Sequence, residues 1–124
     1  MTSQGTAAGR FQRAIQRGNI FQADLAAREL GSVSLSEALS LVLLYEAEGD
    51  PRFERAFRRW LNRVCREKAL RHEQVELLRA AAGALRTSFR EIALDALLSA
   101  CEELRLPVHS LSSRTQIVSH ETAR

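Results

Sequence analysis

The 124-residue chain has little of what stabilises small secreted domains or crosses membranes. Its two cysteines, Cys65 and Cys101, lie far apart and form no CxxC pair, which argues against a disulfide framework and favours a reducing compartment. The first ten residues contain no apolar signal core, and the longest apolar run, residues 41–45, is too short to span a bilayer. We therefore expect a cytoplasmic protein of about one domain, with no membrane attachment.

Lysine is nearly absent as well, since Lys68 is the only lysine among the 18 Lys and Arg residues. Arginine suits bidentate binding of phosphate or carboxylate groups, but codon bias in a GC-rich bacterial genome explains the same composition, and we favour this second interpretation. Residues 50–71 hold eight basic and three acidic side chains, a net charge of +5 in a chain whose formal charge is +3. The basic character is therefore a local patch.

Strand signals are missing too, because Ile117 and Val118 form the only β-branched apolar pair and no alternating pattern flanks it. Helical periodicity instead predicts six helices, near residues 10–17, 20–30, 34–48, 50–68, 71–85 and 88–105. The third is apolar on almost every side, so we place it at the centre of the fold. In the other helices we expect these side chains to face inward: Phe11, Ala14 and Ile15; Phe21, Leu25 and Leu30; Val75, Leu78, Ala82 and Leu85; Phe89, Ile92, Ala93, Leu97, Cys101 and Leu104.

Short polar residues and glycines mark the helix ends. Gly18 is a natural C-terminal residue for the first helix, and Asn19 is a natural N-cap for the second. The other predicted caps are two capping boxes, Ser34 with Glu37 and Ser88 with Glu91, and the carboxylate of Asp50 followed by Pro51 at the first helical position.

The junctions between helices recur along the chain. Gly18-Asn19 and Gly49-Asp50 lie 31 residues apart, and residues 86–88 follow about 37 residues later, a spacing typical of helical repeats. We therefore predict an all-α fold in which six helices form three stacked αα-hairpins, as a short solenoid or a compact helical bundle.

Both ends of the chain differ in composition from the helical part. Residues 1–9 are rich in Gly, Ser, Thr and Ala, and the segment after Pro107 is rich in Ser and Thr without a helical period. We predict a disordered N-terminus at 1–9, a helical domain at 10–105 and a flexible tail at 106–124. A linker, a phosphorylatable segment and a binding strand are alternative roles for the tail, and plain disorder is favoured.

Two of the junctions resemble a known repeat. Tyr45-x-x-x-Gly49-Asp50 resembles the turn between the paired helices of a tetratricopeptide repeat, and Gly18-Asn19-x-x-x-Ala23 resembles the same turn followed by the small residue of the second helix. The chain departs from the family at Glu54, where the family has a small residue, and it lacks the proline between repeats. The resemblance implies a TPR-like α-hairpin scaffold that binds peptides or proteins, and it assigns no binding residues to this chain.

Catalytic signatures are missing. The chain has no Gly-rich phosphate loop, HExxH, nucleophile elbow or paired-carboxylate motif. His72 and Glu76 have the spacing of two metal ligands on one helix face, but no third ligand is close in sequence and a solvated pair is favoured. Cys65 has cationic neighbours that would lower a thiol pKa, yet its place in an apolar stripe favours burial. We predict a protein that is not an enzyme and needs no metal or cofactor.

The candidate binding site lies in the basic segment at 50–71. As a helix, this segment separates into an apolar stripe and a neighbouring row of guanidinium groups. The apolar stripe consists of Phe53, Ala56, Phe57, Trp60, Leu61, Val64 and Cys65, and core packing is favoured for it over a ligand or base-stacking platform. The arginine row consists of Arg52, Arg55, Arg59, Arg63 and Arg66.

The arginine row has three alternative roles: contacts to an acidic protein face, contacts to nucleic-acid phosphates, or a solvated surface partly neutralised by Glu54 and Glu67. Our leading prediction is a non-enzymatic protein–protein interaction or adaptor module of the helical-repeat type, with a protein or peptide partner. The alternative is a nucleic-acid-associated regulatory protein that uses the arginine-rich face of helix 50–68. Apolar end faces of a short stack would also allow a homodimer.

Overall fold

The computed structural model describes residues 6–106, which form six helices and no strand. The helices are α1 (Ala7–Arg17), α2 (Ile20–Leu30), α3 (Leu35–Ala47), α4 (Phe53–Lys68), α5 (His72–Ala84) and α6 (Arg90–Glu103). The predicted all-α fold with six helices is therefore confirmed. None of these helices combines the length and apolar composition that a membrane span requires. The predictions for residues 1–5, and for the predicted tail at 106–124 beyond Leu106, lie outside the described residues.

The first helix begins at Ala7, earlier than the sequence pattern indicated, because Thr6 caps it. Its Oγ1 atom accepts a hydrogen bond from the backbone N–H of Gly9 at 3.0 Å. This bond satisfies one of the amides that have no partner inside a helix. On the inward side, Phe11, Ala14 and Ile15 are buried, as predicted.

The chain divides into two compact units, and the boundary lies between Ala56 and Phe57, within α4. We call the described residues 6–56 the N-terminal unit and 57–106 the C-terminal unit. The first contains α1 to α3 and the opening turn of α4, and the second contains the rest of α4 with α5 and α6. Each unit has its own buried apolar side chains.

In the N-terminal unit, α2 packs against α1 through small side chains. Ala23 and Ala26 are buried in a cluster with Phe11, Ile15 and other apolar residues of the unit. Phe21 and Leu25, which we expected to face inward, are instead 70% and 39% exposed. Both alanine and leucine suit a protein interior, but alanine lets two helix backbones approach closely. The close packing of α2 on α1 therefore decides which face of α2 is buried.

The third helix is buried on most of its sides, as predicted, and within its unit it packs against α1 and α2. The predicted capping box is present, since Ser34 Oγ accepts from the Glu37 backbone N–H at 3.0 Å and Glu37 Oε1 accepts from that of Ser34 at 2.8 Å. Two polar residues are buried in α3, Ser40 and Glu46. The Ser40 hydroxyl donates to the Ser36 carbonyl one turn earlier, which satisfies it.

The glycine turns at residues 18–19 and 49–50 have the same backbone hydrogen bonds. In each, the glycine N–H donates to the carbonyl three residues back, and the next N–H donates to the carbonyl five residues back. Gly18 and Gly49 have φ values of 73° and 70°, which side chains other than glycine rarely adopt. Two of the three junctions identified in the sequence therefore form the same turn, whereas the junction at 86–88 contains no glycine and is organised by the Thr87 hydroxyl.

In the C-terminal unit, α5 and α6 pack against each other. Their buried side chains are Leu78, Ala81, Ala82, Ala93, Leu97, Leu98 and Cys101. The predicted capping box of Ser88 and Glu91 does not form, because α6 begins at Arg90. The Thr87 hydroxyl organises this turn instead: it donates to the Ala84 carbonyl at 2.7 Å and accepts from the Phe89 N–H at 3.1 Å. Phe89 and Ile92, both expected inside, are 62% and 68% exposed.

Candidate binding surfaces

The first member of the predicted arginine row, Arg52, lies in the turn before α4 and not on the helix. Its backbone N–H donates to Asp50 Oδ1 at 2.9 Å. The Asp50 carboxylate thus caps the chain as its sequence predicted, but the regular helix begins only at Phe53. The position of Arg52 in this turn directs its side chain to the other residues of the N-terminal unit.

The Arg52 guanidinium is held by two carboxylates and one aromatic ring. Its Nη1 lies 2.9 Å from Asp24 Oδ2, and its Nη2 lies 3.0 Å from Asp50 Oδ2. Its Cζ lies 4.4 Å from the centroid of the Tyr45 ring, a cation–π distance. The Tyr45 hydroxyl donates to Asp24 Oδ1 at 2.6 Å and closes the network. Arg52 therefore connects α2, the end of α3 and the following turn, which is a structural role.

This network changes the acidity of its members. The hydrogen bonds from Arg52 lower the pKa of Asp50, and hydrogen bonds to Asp50 and Asp24 raise the pKa of Arg52. Burial, followed by the hydrogen bond to Asp24 and the charge of that carboxylate, raises the pKa of the Tyr45 phenol well above its ordinary value.

Tyr45 is the only tyrosine of the chain, so its ionisation can be followed directly by ultraviolet absorbance. We expect no phenolate near pH ~10, where a free tyrosine titrates, and a phenolate signal only as the fold is lost. The pKa of Tyr45 is higher in the folded than in the unfolded chain. Its contribution to the free energy of unfolding is therefore fully present below pH ~10 and falls above that pH by about 1.4 kcal/mol per pH unit. Tyr45→Phe should remove the part of the slope of stability with pH that comes from Tyr45 and leave the part that comes from the buried Cys101 thiol, whose pKa is also raised. A reversible phenolate signal near pH ~10 in the folded protein would contradict the assignment.

The other members of the arginine row lie on α4. Arg55 belongs to the N-terminal unit, and Arg59, Arg63 and Arg66 belong to the C-terminal unit. Arg63 is half-buried and its Nε pairs with Glu67 Oε2 at 2.9 Å, one helical turn away. Arg55, Arg59 and Arg66 are exposed and make no ion pair within residues 6–106. A binding role for these arginines, including the nucleic-acid alternative, stays a prediction.

The aromatic and branched aliphatic members of the apolar stripe are buried, whereas Ala56 and Cys65 are half-buried. Phe53, Phe57, Trp60, Leu61 and Val64 are each at most 7% exposed. The rings of Phe57 and Trp60 pack in a tilted arrangement with their centroids 5.7 Å apart. These rings are core side chains, as favoured from the sequence, and are not available for base stacking.

The candidate catalytic and metal-binding groups stand apart from one another. His72 Nε2 lies 4.0 Å from Glu76 Oε2, both side chains are exposed, and Glu76 also contacts Arg79 at 3.7 Å. Residues 6–106 contain no group of three potential metal ligands, and His109 and His120 lie outside them. Both cysteines are free thiols. Cys101 is buried, which raises its pKa to about 12, whereas Cys65 is half-buried.

Two surface features of the N-terminal unit were missed in the sequence. The first is the exposed pair Phe21 and Leu25, one helical turn apart on α2. Their helical spacing is visible in the sequence, but it predicts an inward face, whereas α2 buries Ala23 and Ala26.

The second feature is a surface cavity of about 470 Å³ between α1 and the start of α2. Its lining consists of Arg10, Arg13, Ala14, Arg17, Asn19 and Gln22. The spacing of the three arginines, three and four residues apart, indicates a common face of α1 and could have identified them. That they border a cavity depends on the position of α2.

No protein-family model, curated protein or solved structure matches this chain. Site residues therefore cannot be transferred from a relative, and the function is inferred from the side chains themselves.

Proposed function

We propose that this chain is a non-enzymatic protein–protein interaction or adaptor module of the TPR-like, helical-repeat type, acting in a bacterial cytoplasm. The observation that carries the proposal is the exposed pair Phe21 and Leu25, which α2 presents outward while it buries alanines. Two large apolar side chains one helical turn apart form a small apolar surface. The apolar stripe of a partner helix or peptide would cover such a surface.

The energetic reason is the hydrophobic effect. Fully covering a phenylalanine or leucine side chain contributes about 1.5–3 kcal/mol. Phe21 leaves most of that contribution unused in the isolated chain, because it is 70% exposed. A protein partner that covered it would gain this energy on binding, whereas nucleic-acid phosphates would not.

Two further observations support the proposal. The repeated hydrogen-bond pattern of the turns at 18–19 and 49–50 is what a scaffold of successive α-hairpins needs. The free thiols of Cys65 and Cys101 fit a reducing compartment.

Replacing Phe21 and Leu25 together with alanine should remove the partner while leaving the fold intact, since alanine favours helix and Phe21 packs on little. The measurement is affinity purification of the full chain from nuclease-treated extract of the source organism, followed by mass spectrometry. We expect a protein retained by the wild type and depleted about tenfold or more in the double variant, because tenfold corresponds to only ~1.4 kcal/mol.

The matched control is the variant Phe89→Ala with Ile92→Ala, which removes another exposed aromatic–aliphatic pair, in the C-terminal unit. It should retain the same protein. Equal retention by wild type and the Phe21 and Leu25 variant would refute the assigned surface, and retention of nucleic acid alone before nuclease treatment would favour the alternative function.

A further inference from the structure

The cavity on the N-terminal unit is lined almost entirely by hydrogen-bond donors. Arg10, Arg13 and Arg17 contribute guanidinium groups, Asn19 and Gln22 contribute amides, and the apolar lining consists of Ala14. Pockets for small organic ligands usually have the opposite composition, mainly apolar with a few polar groups. The volume of about 470 Å³ nevertheless suits a small organic molecule. This lining favours a polar ligand that carries negative charge.

The positive charge around the cavity is only partly neutralised. Arg10 is paired through its Nη2 with Glu29 Oε1 on α2. Within residues 6–106, neither Arg13 nor Arg17 makes an ion pair. The two arginines lie one helical turn apart, so their positive charges repel each other.

One carboxylate comes near the edge of this region. A Cβ atom at Gly18 would lie 3.3 Å from Glu48 Oε2, so this oxygen approaches the turn that follows α1. The ion pairs of residues 6–106 include none between Glu48 and Arg17. Arg13 and Arg17 therefore line the cavity without an ion-pair partner among the described residues.

We propose that this cavity binds the phosphate group of a soluble phosphomonoester. A phosphomonoester carries nearly two negative charges at neutral pH, which matches Arg13 and Arg17, and guanidinium groups bind phosphate oxygens through paired hydrogen bonds. The Asn19 Oδ1 atom already accepts from the Gln22 backbone N–H at 3.0 Å, so the amide nitrogens of Asn19 and Gln22 remain as donors to the organic part. The site is separate from Phe21 and Leu25 and does not depend on the proposed protein-binding function.

The test is a titration of the full chain by NMR at constant ionic strength, with adenosine monophosphate as the phosphomonoester probe and adenosine as its uncharged control. A second titration uses inorganic phosphate. Saturable shifts should centre on residues 10–22 for both phosphates and should be missing with adenosine. The double variant Arg13→Gln with Arg17→Gln should weaken binding about tenfold or more, because hydrogen bonds to charged groups are lost.

The matched control is Arg58→Gln with Lys68→Gln, which makes the same charge change at exposed positions of α4 outside the arginine row. It should leave affinity within about twofold, since long-range charge effects are screened by salt. Equal weakening by both double variants, or shifts spread over the whole chain, would overturn the proposal. If the Arg13 and Arg17 variant does not fold, the location of the wild-type shifts decides the question.

A phosphate group can also belong to a lipid, so a third arm uses phosphatidylcholine vesicles with and without phosphatidic acid. Weak or no binding to these vesicles supports a soluble ligand. Binding to phosphatidic acid vesicles without saturable binding of adenosine monophosphate would overturn the proposal.

Discussion

Replacing Trp60 with alanine should lower the free energy of unfolding by about 3–5 kcal/mol, the range measured when large aromatic side chains are truncated in protein cores. Trp60 is only 2% exposed and packs on Phe57 in the C-terminal unit. Its removal loses the transfer free energy of the largest side chain and leaves a cavity. Urea unfolding followed by circular dichroism measures the change, since Trp60 is the only tryptophan and its fluorescence is lost in the variant.

The neighbouring Arg59→Ala variant is the control, because Arg59 is exposed and makes no ion pair within the described residues. Its stability should change by no more than about 0.5 kcal/mol. A loss of less than about 1 kcal/mol for Trp60→Ala would be far below the expected cost of emptying a core position. It would indicate that the Trp60 ring is accessible to solvent. The interpretation of the aromatic stripe as a ligand platform would then be open again.

Replacing Asp24 with alanine should lower the free energy of unfolding by about 2–3 kcal/mol. The Asp24 side chain is only 16% exposed, and it accepts hydrogen bonds from the Tyr45 hydroxyl and from Arg52. The substitution removes the acceptor of a partly buried phenol and one of the two carboxylates that hold Arg52. Chemical denaturation near neutral pH measures the change.

A double-mutant cycle with Tyr45→Phe separates the hydrogen bond from other losses. In the Tyr45→Phe background, Asp24→Ala should cost about 1 kcal/mol less, because the unsatisfied hydroxyl is absent. Additive effects of the two substitutions would show that the 2.6 Å contact between Tyr45 and Asp24 contributes no coupling. Arg52 would then be held by Asp50 and the aromatic ring alone.

Local features of the chain were predictable because they depend on neighbours within one or two turns. The apolar period identified the buried side of α1 at Phe11, Ala14 and Ile15 and that of α4 at Trp60 and its neighbours. The capping box at Ser34 formed as predicted, since both of its residues lie on the same short segment. At Ser88 two hydroxyl residues competed, and the turn used Thr87. Periodicity alone does not resolve such a choice.

The candidate binding residues were less predictable, because their roles depend on contacts between distant positions. Arg52 shares the spacing of the arginine row, but Asp24 lies 28 residues away and holds it in a structural network. The arginine-lined cavity requires α2 to lie beside α1, although the common face of Arg10, Arg13 and Arg17 is visible in the spacing. The exposed positions of Phe21 and Leu25 follow from alanine packing that no local rule specifies.

The sequence by itself determined that the described chain is helical, where its six helices lie to within a few residues, and that glycine turns recur at 18–19 and 49–50. Helical period, caps and turn residues are local, and each acts over less than about two helical turns. Only the tertiary structure decided which apolar face of α2 is buried, which arginine is structural and which arginines surround a cavity. These outcomes depend on backbone distances and charge pairs between segments that are far apart in the chain, and close packing buries the alanine face of α2 although the other face has larger apolar side chains.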